Sequence, residues 1–254
     1  MGIIDIVKKG FGSASKLLNI VVIFFIFNAI VGILSLPLTD PANTANPAIV
    51  SASVIVSILF FLGFIFLQGG ALGMVKDHLK TGSSDIGSFV GYGKKFYLRI
   101  LGLLALYILV AIGVVLVLAL LSSGLLLLGD NVVVRSLVAI LVTIVSVGLI
   151  TVLIFPVYAI ITDDAGSVAS LKKGMVVAKE NFVKTLSVFI VMLVISLVIS
   201  AIVGFLAGLI TIPLGDVLGR VVLTIVNAAV QSYIPVVMMI VFMSLYMSLE
   251  DKKA

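Results

Sequence analysis

Cysteine is missing from all 254 residues, tryptophan is missing too, and histidine occurs once. Without thiols there are no disulfides, no thiolate metal sites and no cysteine nucleophile. A single imidazole, His78, does not make a zinc site by itself. Its context, KDHLK, has no nucleophile turn, so it reads as a surface residue beside the membrane. Charge is scarce as well: 11% of residues are Asp, Glu, Lys or Arg, against about 25% in soluble domains. Hydrocarbon fills the gap, with 62% hydrophobic residues and a mean hydropathy of +1.41.

That hydrocarbon comes in six long runs: Leu17–Leu36, Ala48–Val75, Ile100–Leu121, Val132–Ile161, Thr185–Ile212 and Val217–Leu249. Each reaches the roughly 18–20 residues that a membrane-crossing helix needs. None alternates apolar with polar residues, which excludes a transmembrane β-barrel. The first run follows Lys8, Lys9 and Lys16 and exceeds the 7–15 apolar residues of a signal-peptide core, so it reads as a first span. The predicted fold class is an all-α integral membrane protein. It has six transmembrane helices arranged as three hairpins, in a single domain over 1–254.

Charge placement orients the chain. Fourteen of the 16 Lys and Arg fall before span one, between spans two and three, between spans four and five, or after span six (Lys252, Lys253). Only Arg135 and Arg220 fall on the other side. The positive-inside rule then predicts a multi-pass protein of the cell membrane with both termini cytoplasmic. In the first outer connection, Asn46–Ala48 reads NPA, as in the aquaporin signature. Aquaporins need two such motifs and the second is absent, so Asn46 reads as an N-cap and Pro47 as the first helical residue of span two.

Three basic segments precede the odd-numbered spans. In the first, Ile3, Ile6, Val7, Gly10, Phe11, Ala14, Leu17 and Leu18 follow helical spacing opposite Lys8, Lys9 and Lys16. In the second, Ile86, Phe89, Val90, Gly93, Tyr97 and Ile100 do so beside Lys94, Lys95 and Arg99. In the third, Leu171, Met175, Ala178, Phe182 and Leu186 form the stripe, with Lys172, Lys173 and Lys179 opposite. Each is predicted to be an amphipathic helix in the headgroup plane, started by Ser83-Ser84-Asp85 in the second and Asp163-Asp164 in the third. The unit is thus one surface helix plus one hairpin, over about 1–76, 83–162 and 166–250. Units two and three match best, and a pseudo-threefold bundle follows.

The stretch DDAGSVASLKKGMVVAKENFVKTLSVFIVML, from Asp163 to Leu193, carries a pattern: an acidic turn, a small-residue helix with basic residues, Asn-aromatic, then a span. Asp163, Asp164, Leu171, Lys179, Asn181 and Phe182 set it out. It resembles a superfamily of six-span membrane proteins that includes the membrane domain of some glycerophosphodiester phosphodiesterases and many uncharacterised archaeal and bacterial proteins. The resemblance implies a six-span fold. It implies no catalysis, because no phosphodiesterase domain accompanies the motif.

All eleven acidic residues, Asp40 and Asp130 among them, fall in loops or at span ends. Proton-coupled carriers place ionisable groups within the membrane, so a coupled transporter or a carboxylate-dependent hydrolase is disfavoured. The polar residues inside spans are Asn28, Gln68, Asn227 and Gln231, the last two four apart on one face. Gly69/Gly73 and Gly204/Gly208 form G-x-x-x-G pairs, and Pro156 and Pro235 sit inside spans. These features read as interhelical contacts or, alternatively, as a polar path. A net charge of +5 lacks any nucleic-acid readout motif. The expected partners are anionic lipids, held by Lys8, Lys9, Lys16, Lys94, Lys95, Arg99, Lys172, Lys173, Lys179 and Lys184 at roughly 1 kcal/mol per residue. A membrane-protein partner or a second copy could share that collar. The leading expectation is a non-enzymatic lipid-binding membrane protein without cofactor. The alternative is a channel or carrier for a small uncharged or lipidic substrate.

Overall fold

The computed structural model describes residues 2–38, 46–127, 129 and 131–251. Asp40, Asp130, Lys252 and Lys253 lie outside the described residues. The described chain is helical throughout: α1 (Ile3–Ala14), α2 (Leu18–Ser35), α3 (Pro47–Thr81), α4 (Ser88–Leu126), α5 (Val132–Leu153), α6 (Pro156–Asp163), α7 (Ser167–Glu180), α8 (Phe182–Thr211) and α9 (Gly215–Glu250). A 3-10 turn, Ile212–Leu214, joins α8 to α9. Five helical stretches are long and apolar enough to cross a membrane: Leu18–Ser35, Pro47–Thr81, Ser88–Leu125, Val132–Asp163 and the joined Phe182–Glu250.

Local chemistry sets the boundaries. The Asn46 side chain accepts the Ala48 N–H at 3.0 Å and Pro47 takes the first helical position, as the sequence predicts. Gly82, at φ +79°, ends α3 in the left-handed region that a side chain would disfavour. The fourth apolar run is broken before Pro156, whose ring and missing N–H cannot continue the helix. The Tyr107 hydroxyl from α4 donates to the Leu153 carbonyl at that break, at 2.8 Å. Pro235, by contrast, sits within an unbroken α9.

Two of the three basic segments are separate helices, α1 and α7. Their local geometry recurs 164 residues apart. Gly2 and Gly166 cap the starts with φ/ψ of −72°/160° and −74°/163°. Leu17 and Asn181 break the ends with −109°/34° and −119°/33°. The second segment departs from the expectation: it is no separate surface helix but the first turns of α4, which runs on unbroken. Where the third segment has Asn181, whose amide donates back to the Val177 carbonyl at 3.1 Å, the second has the buried Phe96, which offers the backbone nothing in exchange for its helical bonds. The local geometry therefore recurs in the first and third basic segments, whereas sequence similarity favours the second and third.

The core lies toward the basic end. Gly69–Val75 of α3, Tyr158–Ile161 of α6 and most of Val236–Leu249 of α9 are buried. These three ends pack against one another. Around them α1 packs on α9, the start of α4 on α3, and α7 on α6. Glycines allow the close approaches. A Cβ on Gly73 would stand 2.2 Å from the Tyr92 ring, and one on Gly174 2.4 Å from the Pro156 nitrogen. Gly69 also meets Phe96, so the Gly69/Gly73 pair is an interhelical contact; Gly204 and Gly208 face nothing within 4 Å. The spans succeed one another around the bundle. α2 packs mainly on α9 and only slightly on α3, the next helix in sequence, which packs on α4.

Away from the basic end the helices expose large aliphatic side chains, such as Leu120 (74%), Val133 (68%) and Ile210 (63%). So much bare hydrocarbon on one molecule requires an apolar surrounding. With the long helices, it defines an all-helical membrane protein.

Candidate functional site

Three polar features stand out between the basic end and mid-height. The first is a clamp built on Asp163 and Asp164. The sequence reads this pair as the N-cap of the third segment. Instead, α6 ends there: Asp164 takes φ 56°, a left-handed conformation that Asp tolerates, and Gly166 caps α7 with no side-chain bond. The two carboxylates turn apart. Asp163 Oδ2 accepts from Lys173 Nζ at 2.9 Å and from the Tyr246 hydroxyl at 2.8 Å, and Lys173 also reaches Glu250 Oε1 at 2.9 Å. This set ties α6, α7 and α9 together. Asp164 pairs with Lys95 Nζ at 3.0 Å and with the Arg99 guanidinium, which also donates to the Asp164 carbonyl at 2.9 Å. The Ser167 hydroxyl closes the corner by donating to the Arg99 carbonyl at 2.8 Å. Lys76 of α3 donates to the Ile161 carbonyl at 2.8 Å.

The hydrogen bonds from Lys95 and Arg99 hold the Asp164 carboxyl below its ordinary range. Burial alone would lower the Lys173 ammonium, but bonds to Glu250 and Asp163 outweigh it and raise the group. Both groups are well exposed, so solvent screening leaves each pair little weight in stability. The geometry is the larger consequence: one corner fixes the angle between the surface segments and the core helices.

The second feature is what the clamp leaves over. Lys95, Arg99 and Lys173, expected to meet headgroups, are engaged in these internal pairs. Lys8, Lys9, Lys16, Lys94, Lys172 and Lys179 are exposed and enter no ion pair among the described residues. Lys184 is half-buried and has other interactions. On each segment an exposed apolar residue sits four positions before an exposed lysine: Ile4 before Lys8, Val90 before Lys94, Val168 before Lys172. Leu98 extends the second row. Residues four apart share a helix face, so each segment presents apolar and basic groups side by side, away from its buried stripe.

The third feature lies midway along the long helices. A pocket of about 350 Å³ is lined by Asn28 of α2, Phe64 of α3, Ser196 and Ser200 of α8, and Gln231 and Pro235 of α9, with Val230, Ile234 and Met238 as apolar wall. Asn28 Nδ2 donates to Ser232 Oγ at 3.1 Å, and that hydroxyl donates in turn to the Ala228 carbonyl. Of the four polar residues predicted inside the spans, only Asn28 and Gln231 reach the pocket. Asn227 is exposed and Gln68 half-buried elsewhere. Sequence reasoning missed Ser196 and Ser200, although their four-residue spacing places them on one face, as it does Asn227 and Gln231. It also missed Tyr246, four residues before Glu250 on the same face of α9. Among the described residues no group of His, Asp and Glu could hold a metal ion.

A family profile described as a domain of unknown function (DUF7847) matches residues 1–249. The chain therefore belongs to the DUF7847 family. No curated protein and no solved structure matches it.

Proposed function

We propose that this protein is a non-enzymatic, six-span protein of the cell membrane with both termini cytoplasmic, which holds anionic lipid headgroups along its basic rim. Support for the sixth span comes from length. The 69 residues of Phe182–Glu250 would make a rod of about 100 Å at 1.5 Å per residue, over three times the hydrocarbon thickness. The stretch turns at Pro213 and at Gly215, whose φ is +70°, and α8 packs back on α9. Helix order around the bundle, and the docking of each basic segment on the even span of the preceding unit, support the pseudo-threefold repeat. The likeness of residues 163–193 to other six-span proteins agrees with this arrangement.

The observation that carries the lipid reading is the row shared by all three segments: Ile4/Lys8, Val90/Lys94 and Val168/Lys172. An apolar residue beside a free lysine suits the acyl boundary, where the aliphatic part buries and the ammonium meets phosphate. At roughly 1 kcal/mol per lysine before screening, three such rows give a measurable effect. The test compares wild type with the combined Lys8→Gln, Lys94→Gln, Lys172→Gln variant. Thermal midpoints are measured in micelles with added phosphatidylglycerol or phosphatidylcholine. Phosphatidylglycerol should raise the wild-type midpoint more than phosphatidylcholine, and the variant should lose most of that difference. An equal response of both proteins to both lipids would overturn the reading.

A further inference from the structure

We infer that the mid-height pocket between α2, α3, α8 and α9 binds an uncharged amphiphile, a single hydroxyl- or amide-bearing head on a hydrocarbon chain. This is independent of the basic rim, from which it differs in place, in chemistry and in the ligand it takes.

Several polar groups around this pocket have no hydrogen-bond partner among the described residues. Thr143, Ser187 and Thr224, on the same class of apolar helices, return their hydroxyls to carbonyls one turn back at 2.7–2.8 Å. Ser196 and Ser200 have no such bond, and the Gln231 amide has no partner among the described residues. Asn28 uses its amide nitrogen on Ser232, while its oxygen accepts nothing from the described residues. Pro235 adds a fifth group: it has no N–H to give to the Gln231 carbonyl one turn earlier. In hydrocarbon each such group costs free energy until something bonds to it. Here they gather around one pocket, so a single ligand head can serve several at once.

The lining also states what that ligand is. It includes no Lys, Arg, His, Asp or Glu, so a charged head would be buried without a counter-ion. Phe64, Val230, Ile234 and Met238 supply an apolar wall for a chain. Ser200 and Gln231 are exposed at the bundle surface, which gives entry from the side, where a lipid arrives. The volume of about 350 Å³ lies within the roughly 300–1,000 Å³ typical of small-molecule sites.

The test uses the full chain in nanodiscs of phosphatidylcholine, labelled with a photoactivatable octadecanol carrying a diazirine in its chain. Cross-linked peptides are mapped by mass spectrometry. Labelling should concentrate on α2, α8 and α9 near Asn28, Ser196–Ser200 and Val230–Met238. Excess plain octadecanol should suppress it several-fold, and octadecyl phosphate should not. Ser200→Phe, which fills the pocket from its open side, should lower labelling at least five-fold. Gln231→Leu, which removes a polar group without adding volume, should lower it less; it serves alone if the bulkier variant fails to fold. Labelling spread evenly over all helices, or not suppressed by octadecanol, would overturn the inference. So would equal competition by the phosphate, which would remove the uncharged class.

Discussion

Gly174 is where α7 crosses α6, and a methyl group there has nowhere to go. Its Cβ would lie 2.4 Å from the Pro156 nitrogen, 2.5 Å from its Cα and 2.7 Å from its Cδ. Ordinary contact needs about a further 1 Å. The obstacle is backbone and a fixed ring, so no rotamer change relieves it, and α7 must move off α6. That shift pulls Lys173 away from Asp163 and Glu250. Overpacking of this kind costs about 1–3 kcal/mol. Against it stands the gain of up to about 1 kcal/mol from replacing glycine with alanine inside a helix. The clash is with backbone and lies at the upper end of that range, so the net expectation for Gly174→Ala is a loss of about 2 kcal/mol. Gly10, its counterpart on α1, gives an internal comparison. A Cβ there meets a Val241 methyl at 2.3 Å, but the nearest backbone atom, the Val237 carbonyl oxygen, is at 3.5 Å. A valine side chain can turn, so Gly10→Ala should cost less. Gly12, with nothing within 4 Å, should gain stability as alanine. The assay is thermal unfolding in micelles followed by circular dichroism. The expected order of midpoints is Gly12→Ala above wild type, then Gly10→Ala, then Gly174→Ala. A Gly174→Ala protein as stable as wild type would refute the close crossing of α6 and α7.

Two further outcomes bear on the clamp. Tyr246→Phe removes a hydrogen bond to an ionised carboxylate and leaves the ring packed against Phe155; the loss should be about 1.5–3 kcal/mol in the same assay, and no loss would show that the bond does not hold α6 to α9. For pH, the carboxyl of Asp164 is depressed below its ordinary 3.8, so its contribution is present above that value and lost as pH falls through the lowered one. The ammonium of Lys173 is raised above 10.5, so its contribution is full below that value and lost as pH rises through the raised one. The contribution of these two groups to the thermal midpoint should therefore be constant between about pH 5 and 9 and fall at both extremes. In Asp164→Asn, Lys95 and Arg99 lose their ionised partner, so the acid-side fall should shrink; an unchanged acid limb would place its cause elsewhere.

Features that depend on near neighbours could be read from the sequence. Apolar runs located the long helices, Asn46 and Pro47 the start of α3, and helical spacing the faces of α1 and α7. Features that depend on distant partners could not. The residues bound to Asp163 and Asp164 come from α4, α7 and α9, as much as 83 positions away, whereas capping is a local guess and was the wrong one here. The break at Asn181 and the continuity at Phe96 turn on one side chain in similar settings. The four-residue spacing of Ser196 and Ser200 is a weak signal, because serine is tolerated throughout such helices. Their place beside Asn28 and Gln231 at one pocket, which depends on three other helices, marks them out.

The pairing of α2 with α9 bears on how the chain is made. The main partner of α2 is synthesised late, beginning about 180 residues after α2 ends. At roughly 5–20 residues per second, α2 waits on the order of 10–40 s before Asn28 can find Ser232. The same delay holds for α1, whose buried face is matched by α9. During that interval the early helices sit in the bilayer with their polar and small residues turned to lipid or to whatever chain stands near. Closure of the ring between α2 and α9 thus comes late in assembly. A chain cut short before α9 would lose one helix in length and, in packing, the partner of both helices at its opposite end.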